Sequence, residues 1–137
     1  MILVDSSVWV DYFRGTDSQQ TEKLGTLLGT GRIVVGDLML TEVLQGFAVE
    51  REFQTALELF KTVHVVRLGG YALSIEAAKN FRRLRVKGFT IRKTIDSLIA
   101  TKCIATRFEL LHSDRDFIPF EQHLGLRSVF PTLPIHG

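Results

Sequence analysis

The chain opens on a short apolar run that ends at a carboxylate, in Met1-Ile2-Leu3-Val4-Asp5-Ser6-Ser7-Val8-Trp9. A second apolar run leads into two more acids near the other end, in Leu110-Leu111-His112-Ser113-Asp114-Arg115-Asp116. In an open parallel sheet, ligands bind just outside the carboxyl ends of the strands. The two stretches therefore predict strands that bring Asp5, Asp114 and Asp116 to one edge of a sheet. Because neighbouring carboxylates repel unless a cation joins them, a metal site is the first hypothesis.

The composition predicts one soluble domain that covers residues 1–137. Apolar residues make up 45% of the chain and charged residues 23%, and the length suits a single domain with a real core. No apolar run approaches the roughly 20 residues that cross a membrane, and no basic stretch precedes the first apolar run. Cys103 is the only cysteine, so no internal disulfide can form. We therefore expect a cytoplasmic protein without a membrane partner.

Apolar spacing predicts strands that alternate with helices. The predicted strands cover 1–4, 32–35, 64–68 and 108–112, with a short fifth at 127–129. The predicted helices run from 6 or 7 to 14, from 16 or 17 to 28, and over 38–47, 50–61, 71–87 and 95–105. Strands that alternate with helices indicate an α/β domain with a parallel sheet of four to five strands, covered on both faces.

Two acids in the first half of the chain are candidate metal ligands. Asp5 could instead cap the helix that follows it, but we interpret Asp5 as a metal ligand and Ser6 or Ser7 as the cap of that helix. Glu42 lies on a helix that is apolar around most of its circumference, with Leu38, Met39, Leu40, Val43, Leu44 and Phe47. That pattern predicts a buried Glu42, and a buried glutamate needs a cation or an Arg or Lys as its partner.

The acids in the second half have alternative explanations of their own. Asp96 follows Thr94, the predicted N-cap, so its carboxylate could simply complement the helix dipole, or it could reach a ligand beyond the helix end. Asp114 and Asp116 occupy a predicted loop, where Asp is common, before an inward-packing Phe117. His112 could contact substrate or have a structural role. The combination of acids therefore carries more weight than any single one.

Basic residues concentrate next to this candidate site. Seven of the 17 Lys and Arg residues fall between Glu76 and Asp96, where no acid occurs: Lys79, Arg82, Arg83, Arg85, Lys87, Arg92 and Lys93. The stretch could be a solvated helix face. It could also bind phosphates, because Lys and Arg contacts with phosphates release counterions. Acids for chemistry beside bases for binding would suit a nucleic acid substrate.

The chemistry that matches these acids is metal-assisted hydrolysis of phosphodiesters. Mg²⁺ and Mn²⁺ prefer oxygen ligands, and two such ions about 4 Å apart can activate water and stabilise the departing oxygen. Zinc is disfavoured, because the four histidines and Cys103 lack ligand spacing. No P-loop is present, since Gly25 to Gly31 lacks its Lys-Ser/Thr ending. An aspartyl phosphotransfer domain would use Asp5 as nucleophile, but Ser7 stands where such enzymes have a second Asp.

Four motifs closely resemble those of the PIN-domain ribonucleases, and in particular the VapC toxins of bacterial type II toxin–antitoxin systems. They span nearly the whole chain in family order: Val4-Asp5-Ser6-Ser7-Val8-Trp9, Gly36-Asp37-Leu38 with Thr41-Glu42-Val43-Leu44-Gln45-Gly46, Arg92-Lys93-Thr94-Ile95-Asp96, and Leu110-Leu111-His112-Ser113-Asp114-Arg115-Asp116-Phe117. The departures are His112, where many relatives have Thr, and Ile118, where many have a further acid.

The resemblance implies a three-layer α/β/α domain and a Mg²⁺- or Mn²⁺-dependent endoribonuclease. It matches Asp5, Glu42, Asp96 and Asp114 to the acidic quartet and Asp116 to an auxiliary acid. It also implies a homodimer and a VapB-type antitoxin whose tail occupies the active-site groove. For RNA binding we expect contributions from Ser6, Arg82, Arg85, Arg92, Lys93 and His112. The alternatives are a PIN-like module that only binds RNA or a partner, and the aspartyl phosphotransfer domain.

Overall fold

Four strands alternate with seven helices in a computed structural model that describes residues 1–132. The strands are β1 (Ile2–Val4), β2 (Ile33–Gly36), β3 (His64–Val66) and β4 (Glu109–Leu111). The helices are α1 (Ser6–Phe13), α2 (Gln19–Leu27), α3 (Asp37–Gln45), α4 (Glu50–Phe60), α5 (Tyr71–Val86), α6 (Thr94–Thr106) and α7 (Ile118–His123). Over this part of the chain, no helix is both long and apolar enough to span a bilayer.

The four strands form one parallel sheet in the order β3-β2-β1-β4. From β1 the chain adds β2 and β3 on one side, and it then returns to place β4 on the other side. The order therefore reverses between β1 and β4, and such a switch point opens a crevice at the carboxyl ends of the strands. The Asp5 N–H donates to the Leu111 carbonyl at 2.9 Å, so the ends of β1 and β4 lie side by side.

Helices cover both faces of the sheet in two groups. On one side α1 packs against α2 and α3, and α3 against α4; on the other, α5 packs against α6 and α7. β1 and β2 are buried along their whole length, as expected for strands that are covered on both faces. Trp9 is fully buried against Phe60, with ring centroids 4.7 Å apart, so its indole ring is part of the core. The predicted α/β/α architecture is confirmed.

Three local predictions are wrong. The expected fifth strand at 127–129 shrinks to a single bridge between Leu110 and Ser128. The second helix begins at Gln19 and not at 16 or 17, because Ser18 and Thr21 form a capping box there. Helix α7 follows a 3₁₀ turn where we predicted only a loop. Pro119 suits its first turn, and Phe117 and Phe120 are fully buried.

A tight joint between β2, α3 and the end of β3 orients α3 toward the carboxyl edge of the sheet. A side chain at Gly36 would have its Cβ 2.4 Å from Leu68 Cδ1, so glycine is required for the close approach. Asp37 Oδ1 then accepts the N–H groups of Leu38 at 2.8 Å and of Leu68 at 2.9 Å. The joint therefore fixes where α3 starts, one turn before Glu42.

Candidate metal centre

One cavity of about 340 Å³ lies at the switch point between β1 and β4. The structure brings together four of the predicted acids around it: Asp5, Glu42, Asp96 and Asp114. They come from four separate elements, since Asp5 follows β1, Glu42 is on α3, Asp96 opens α6 and Asp114 follows β4. The cavity is also lined by Ser6, Ser7, Val10, Asp11, Lys93 and Ile95.

Asp5 is buried at the floor of the cavity, with only 5% of its surface exposed. It is also the N-cap of α1, because its Oδ2 accepts the Ser7 N–H at 3.2 Å and the Ser7 hydroxyl at 2.5 Å. The prediction that Ser6 or Ser7 caps this helix is therefore wrong. Burial raises the pKa of Asp5 above its ordinary value, although the hydrogen bonds from Ser7 oppose that shift.

Asp96 is the second buried acid of the cavity whose pKa is raised. It is 4% exposed, and its Oδ2 has no hydrogen-bond partner among residues 1–132. Burial and then the carboxylates of Asp5 and Asp114 raise its pKa from 3.8 to about 7, against a lowering effect of Lys93. The predicted cap Thr94 is instead the first residue of α6, since Lys93 occupies the N-cap position without a side-chain bond. The Asp96 carboxylate thus lies in the first turn with an oxygen that lacks a partner.

Asp114 and Asp116 are held by the 3₁₀ turn that follows β4. Asp114 Oδ1 accepts the Asp116 N–H at 2.9 Å and so caps this turn. One carboxylate oxygen each from Asp96, Asp114 and Asp116 lies within 4.8 Å of the others, which is close enough for a shared cation. Asp116 also pairs with Arg92, whose Nε donates to Asp116 Oδ2 at 3.1 Å.

Glu42 reaches the cavity but is exposed, so the predicted burial is wrong. Helix α3 buries only the face with Met39 and Val43, whereas Leu38 is 42% exposed. Glu42 lies on the opposite, exposed face of α3. Ser6 Oγ donates to Glu42 Oε1 at 2.8 Å, which links Glu42 to the start of α1.

The predicted RNA-binding residues divide into three groups. Ser6 and Lys93 line the acidic cavity, and Arg92 lies beside it through Asp116. Arg82 and Arg85 are exposed on α5 and line a different cavity of about 480 Å³ between α5 and α6. His112 is buried, with 8% of its side chain exposed, and its ring is hydrogen-bonded within the protein, which favours the structural role over the RNA contact.

Sequence reasoning missed two polar residues of this region, Asp11 and Glu121. Ser7 holds Asp5, and Asp11 lines the cavity four residues further along α1. Asp11 could have been found from its spacing, because residues i and i+4 share a helix face. Glu121 pairs with the buried His112 at 2.7 Å. No pattern indicates that pair, since α7 itself was not predicted.

The donor atoms fit a hard divalent cation. All the candidate ligands are carboxylate oxygens, and Mg²⁺ and Mn²⁺ prefer such ligands. Within the described residues, one oxygen of Asp96 has no partner, and the pKa values of both Asp5 and Asp96 are raised. A bound cation would bind that oxygen and stabilise the charged form of both carboxylates. A thiolate ligand is not supplied by Cys103, because burial raises the pKa of that thiol to about 12.

Comparison with known proteins gives a consistent match along the chain. A family model described as PIN domain matches residues 2–121. The VapC ribonuclease Mb1587 of Mycobacterium bovis is 31% identical over 119 residues, which cover 85% of this chain and 89% of that protein. VapBC2 of Rickettsia felis, solved with a promoter DNA fragment, superposes with a TM-score of 0.71 at 20% identity, over 93% of this chain and 97% of that one. The VapC20 toxin of Mycobacterium tuberculosis, which cleaves the sarcin–ricin loop, superposes with a TM-score of 0.68 at 17% identity. The match covers 96% of this chain and 100% of that one.

Proposed function

The chain belongs to the PIN-domain family, and we propose that it is the toxin of a VapBC-type toxin–antitoxin pair, an endoribonuclease that hydrolyses RNA phosphodiester bonds. The observation that carries the proposal is the set of carboxylates around the cavity between β1 and β4, above all the partnerless oxygen of buried Asp96. A domain that only bound RNA would have no need to bury carboxylates beside one another, because their repulsion destabilises the fold.

The proposed cofactor is Mg²⁺, with Mn²⁺ able to substitute. Asp5, Asp96 and Asp114 would hold one or two ions, and Glu42 would act directly or through a water. When bound, such a cation lowers the pKa of a water for attack on phosphorus and stabilises the charge that develops on the phosphate. Because water is the attacking group, the RNA 2′-hydroxyl takes no part in this reaction.

The side chains of this protein would supply position and charge. Asp5 is fixed by Ser7, and Asp114 is fixed by the 3₁₀ turn, so both carboxylates are held before any ligand arrives. Ser6 holds Glu42 from the other side of the cavity. Lys93 at the cavity and Arg92 beside it would bind RNA phosphates, and the exposed Arg82 and Arg85 of α5 would add further basic contacts.

The proposed partners follow from the same family assignment. We expect a VapB-type antitoxin that covers the active-site groove, and a homodimer of the toxin. Residues 1–137 would form a single PIN domain. Its place of action would be the cytoplasm, where both the RNA substrate and the antitoxin are made.

RNA cleavage with and without a chelator tests this proposal. The purified chain should cut RNA in Mg²⁺ and stop in EDTA, and Asp96→Asn should remove the activity while the protein stays folded. Lys61→Ala, an exposed change outside the cavity, is the matched control that should keep Mg²⁺-dependent cleavage, whereas a contaminating nuclease would still cut in the Asp96→Asn preparation. Cleavage that continues in EDTA contradicts the metal site. Covalent phosphate on Asp5 after treatment with a small phosphodonor favours a phosphotransfer domain instead.

A further inference from the structure

A buried polar network lies directly behind Asp114 and has no part in the proposed mechanism. His112 is its centre: Nδ1 accepts the Asp114 N–H at 3.2 Å, and Nε2 lies 2.7 Å from Glu121 Oε1. The side chains of His112 and Glu121 are 8% and 5% exposed. Glutamate is rarely buried without a reason of this kind, because its desolvation is costly.

The polar contacts of the two ring nitrogens of His112 fix its tautomer; Nε2 also lies 3.2 Å from Ser128 Oγ. A backbone N–H can only donate, so Nδ1 must present a lone pair to Asp114. The ring proton therefore lies on Nε2 and is donated to the Glu121 carboxylate. In the opposite tautomer, the Nδ1 proton would face the Asp114 N–H and that hydrogen bond would be lost.

Glu121 is itself held by two donors from the segment that follows α7. The Ser128 hydroxyl donates to Glu121 Oε1 at 2.5 Å, and the Thr132 N–H donates to Oε2 at 3.1 Å. Ser128 is also the residue that bridges to Leu110 of β4. The carboxylate is thus tied to the edge of the sheet next to the acidic cavity, and it cannot turn away from His112 without losing both donors.

We propose that Glu121 is a positioning residue, which acts through the His112 tautomer to hold the backbone of Asp114 and thereby aim its carboxylate into the metal centre. This inference rests on the proposed function, because it concerns the cation that Asp114 would help to bind. Residues that orient ligands through a second layer of hydrogen bonds commonly change metal affinity or activity by roughly 10- to 100-fold when they are removed. Asp114 needs such support because it lies in a loop, whereas Asp96 is carried by a helix.

The hydrogen bond itself is measurable in the intact, metal-free protein. In a ¹⁵N-labelled sample, a scalar coupling across the bond between the Asp114 amide nitrogen and His112 Nδ1 should be detectable, and the His112 ring nitrogens should show the Nε2–H tautomer. The Asp114 amide should also exchange slowly with solvent. A His112 ring with its proton on Nδ1, or no coupling to the Asp114 amide, overturns the inference without any variant.

Three variants then separate positioning from stability. Glu121→Ala should weaken Mn²⁺ binding, measured by calorimetry, by about tenfold and speed exchange of the Asp114 amide. Glu121→Gln should keep most of the Mn²⁺ affinity and the slow exchange of the Asp114 amide, because the Gln amide oxygen still accepts the His112 Nε2 proton. Leu124→Ala, a half-buried change just after α7, is the control that lowers stability without touching His112.

The outcomes distinguish this inference from the proposed function. If Glu121→Ala and Leu124→Ala weaken Mn²⁺ binding equally, or if neither does, Glu121 has only a structural role. If Glu121→Ala does not fold, the scalar coupling in the original protein and the Mn²⁺ affinity of Glu121→Gln decide the question. If the original chain binds no Mn²⁺ and cuts no RNA in Mg²⁺, the proposed function fails, whatever tautomer His112 adopts.

Discussion

The acidic cavity has two sides that differ in how their carboxylates are satisfied. The inner wall consists of Asp5 and Asp96, which are 5% and 4% exposed and have raised pKa values. What we call the rim consists of Glu42, which lines the cavity and is exposed, and of Asp116 just outside the lining, whose side chain is 17% exposed. Each rim carboxylate has a partner from the protein, namely Ser6 for Glu42 and Arg92 for Asp116.

The difference shows where the protein itself leaves a charge uncompensated. At the rim, exposure and neighbouring side chains stabilise the charged carboxylates of Glu42 and Asp116, although Asp116 also lies close enough to Asp96 and Asp114 to share a cation. At the inner wall, burial and mutual repulsion disfavour the charged form, and one oxygen of Asp96 has no partner. The inner wall is therefore where a cation would change the energy most, and the rim is where it would change least.

The largest effect should come from Asp96→Asn. Loss of this ligand should lower Mg²⁺-dependent RNA cleavage by about a hundredfold or more, because a metal ion contributes several kcal/mol to stabilising the transition state and each 1.36 kcal/mol is about tenfold. Cleavage rates at saturating Mg²⁺ measure this. Near-normal cleavage by a folded Asp96→Asn protein would remove the inner wall from the mechanism.

A smaller effect is expected at the rim from Glu42→Gln. Because Glu42 would act partly through water, cleavage should fall by about tenfold and the melting temperature of the metal-free protein should hardly change. Rates and thermal unfolding in EDTA check the two parts. Ser6→Ala is the matched variant, since it releases Glu42 without removing its charge. If Glu42→Gln lowers the cleavage rate as much as Asp96→Asn does, then the inner wall and the rim contribute equally to catalysis and the distinction between them is wrong.

Two substitutions of Asp5 distinguish its role as the cap of α1 from its proposed role as a metal ligand. Asn caps helices about as well as Asp, so Asp5→Asn should keep the start of α1 while it weakens Mn²⁺ binding. Asp5→Ala should bind Mn²⁺ as weakly and also lose about 1 kcal/mol of unfolding free energy. Denaturant unfolding in EDTA gives the difference. Equal stabilities of the two variants would show that the cap of α1 contributes nothing measurable.

The smallest effect should come from the ion pair at the rim. Arg92→Ala removes the partner of Asp116, but an exposed pair of this kind contributes only about 0–1 kcal/mol. We therefore expect little change in stability and a modest loss of RNA binding at low salt that disappears at high salt. Lys61→Ala, which breaks an exposed pair with Glu58 far along the chain, is the control for a general charge effect. A large stability loss in Arg92→Ala would mean that the rim is structural.

The sequence was most informative where local chemistry and topology agreed. Asp5 follows β1 and Asp114 follows β4, and both could be placed at one edge because the carboxyl ends of parallel strands lie at the same edge of a sheet. The four predicted strands and the helices between them followed from apolar periodicity. The apolar periodicity of α6 also placed Asp96 in the first turn of that helix.

Features set by tertiary packing were harder to predict. The exposure of Glu42 depends on which face of α3 is buried, which the apolar composition of α3 does not reveal. Asp5 caps α1 because both the N–H and the hydroxyl of Ser7 donate to its carboxylate. The sequence spacing alone allows Asp5, Ser6 or Ser7 as the cap. The pair of His112 with Glu121 needs α7, whose few residues carry too weak a periodicity to be predicted.

The central claim is that the inner wall is unstable until a cation binds, and pH tests it most directly. The folded pKa of Asp96, about 7, lies above its ordinary value of 3.8, so the stability contributed by the protonated form is fully present below pH 3.8 and is lost as pH rises through about 7. The measurement is the difference in unfolding free energy between the original chain and Asp96→Asn, in EDTA and in Mn²⁺, from pH 4 to pH 8.

In EDTA the two proteins should be similarly stable near pH 4, and Asp96→Asn should become the more stable one as pH rises. In Mn²⁺ the order at pH 8 should reverse, because the cation binds the folded original chain and stabilises it by mass action. A difference in EDTA that does not vary with pH, together with equal gains from Mn²⁺ in both proteins, would contradict the account.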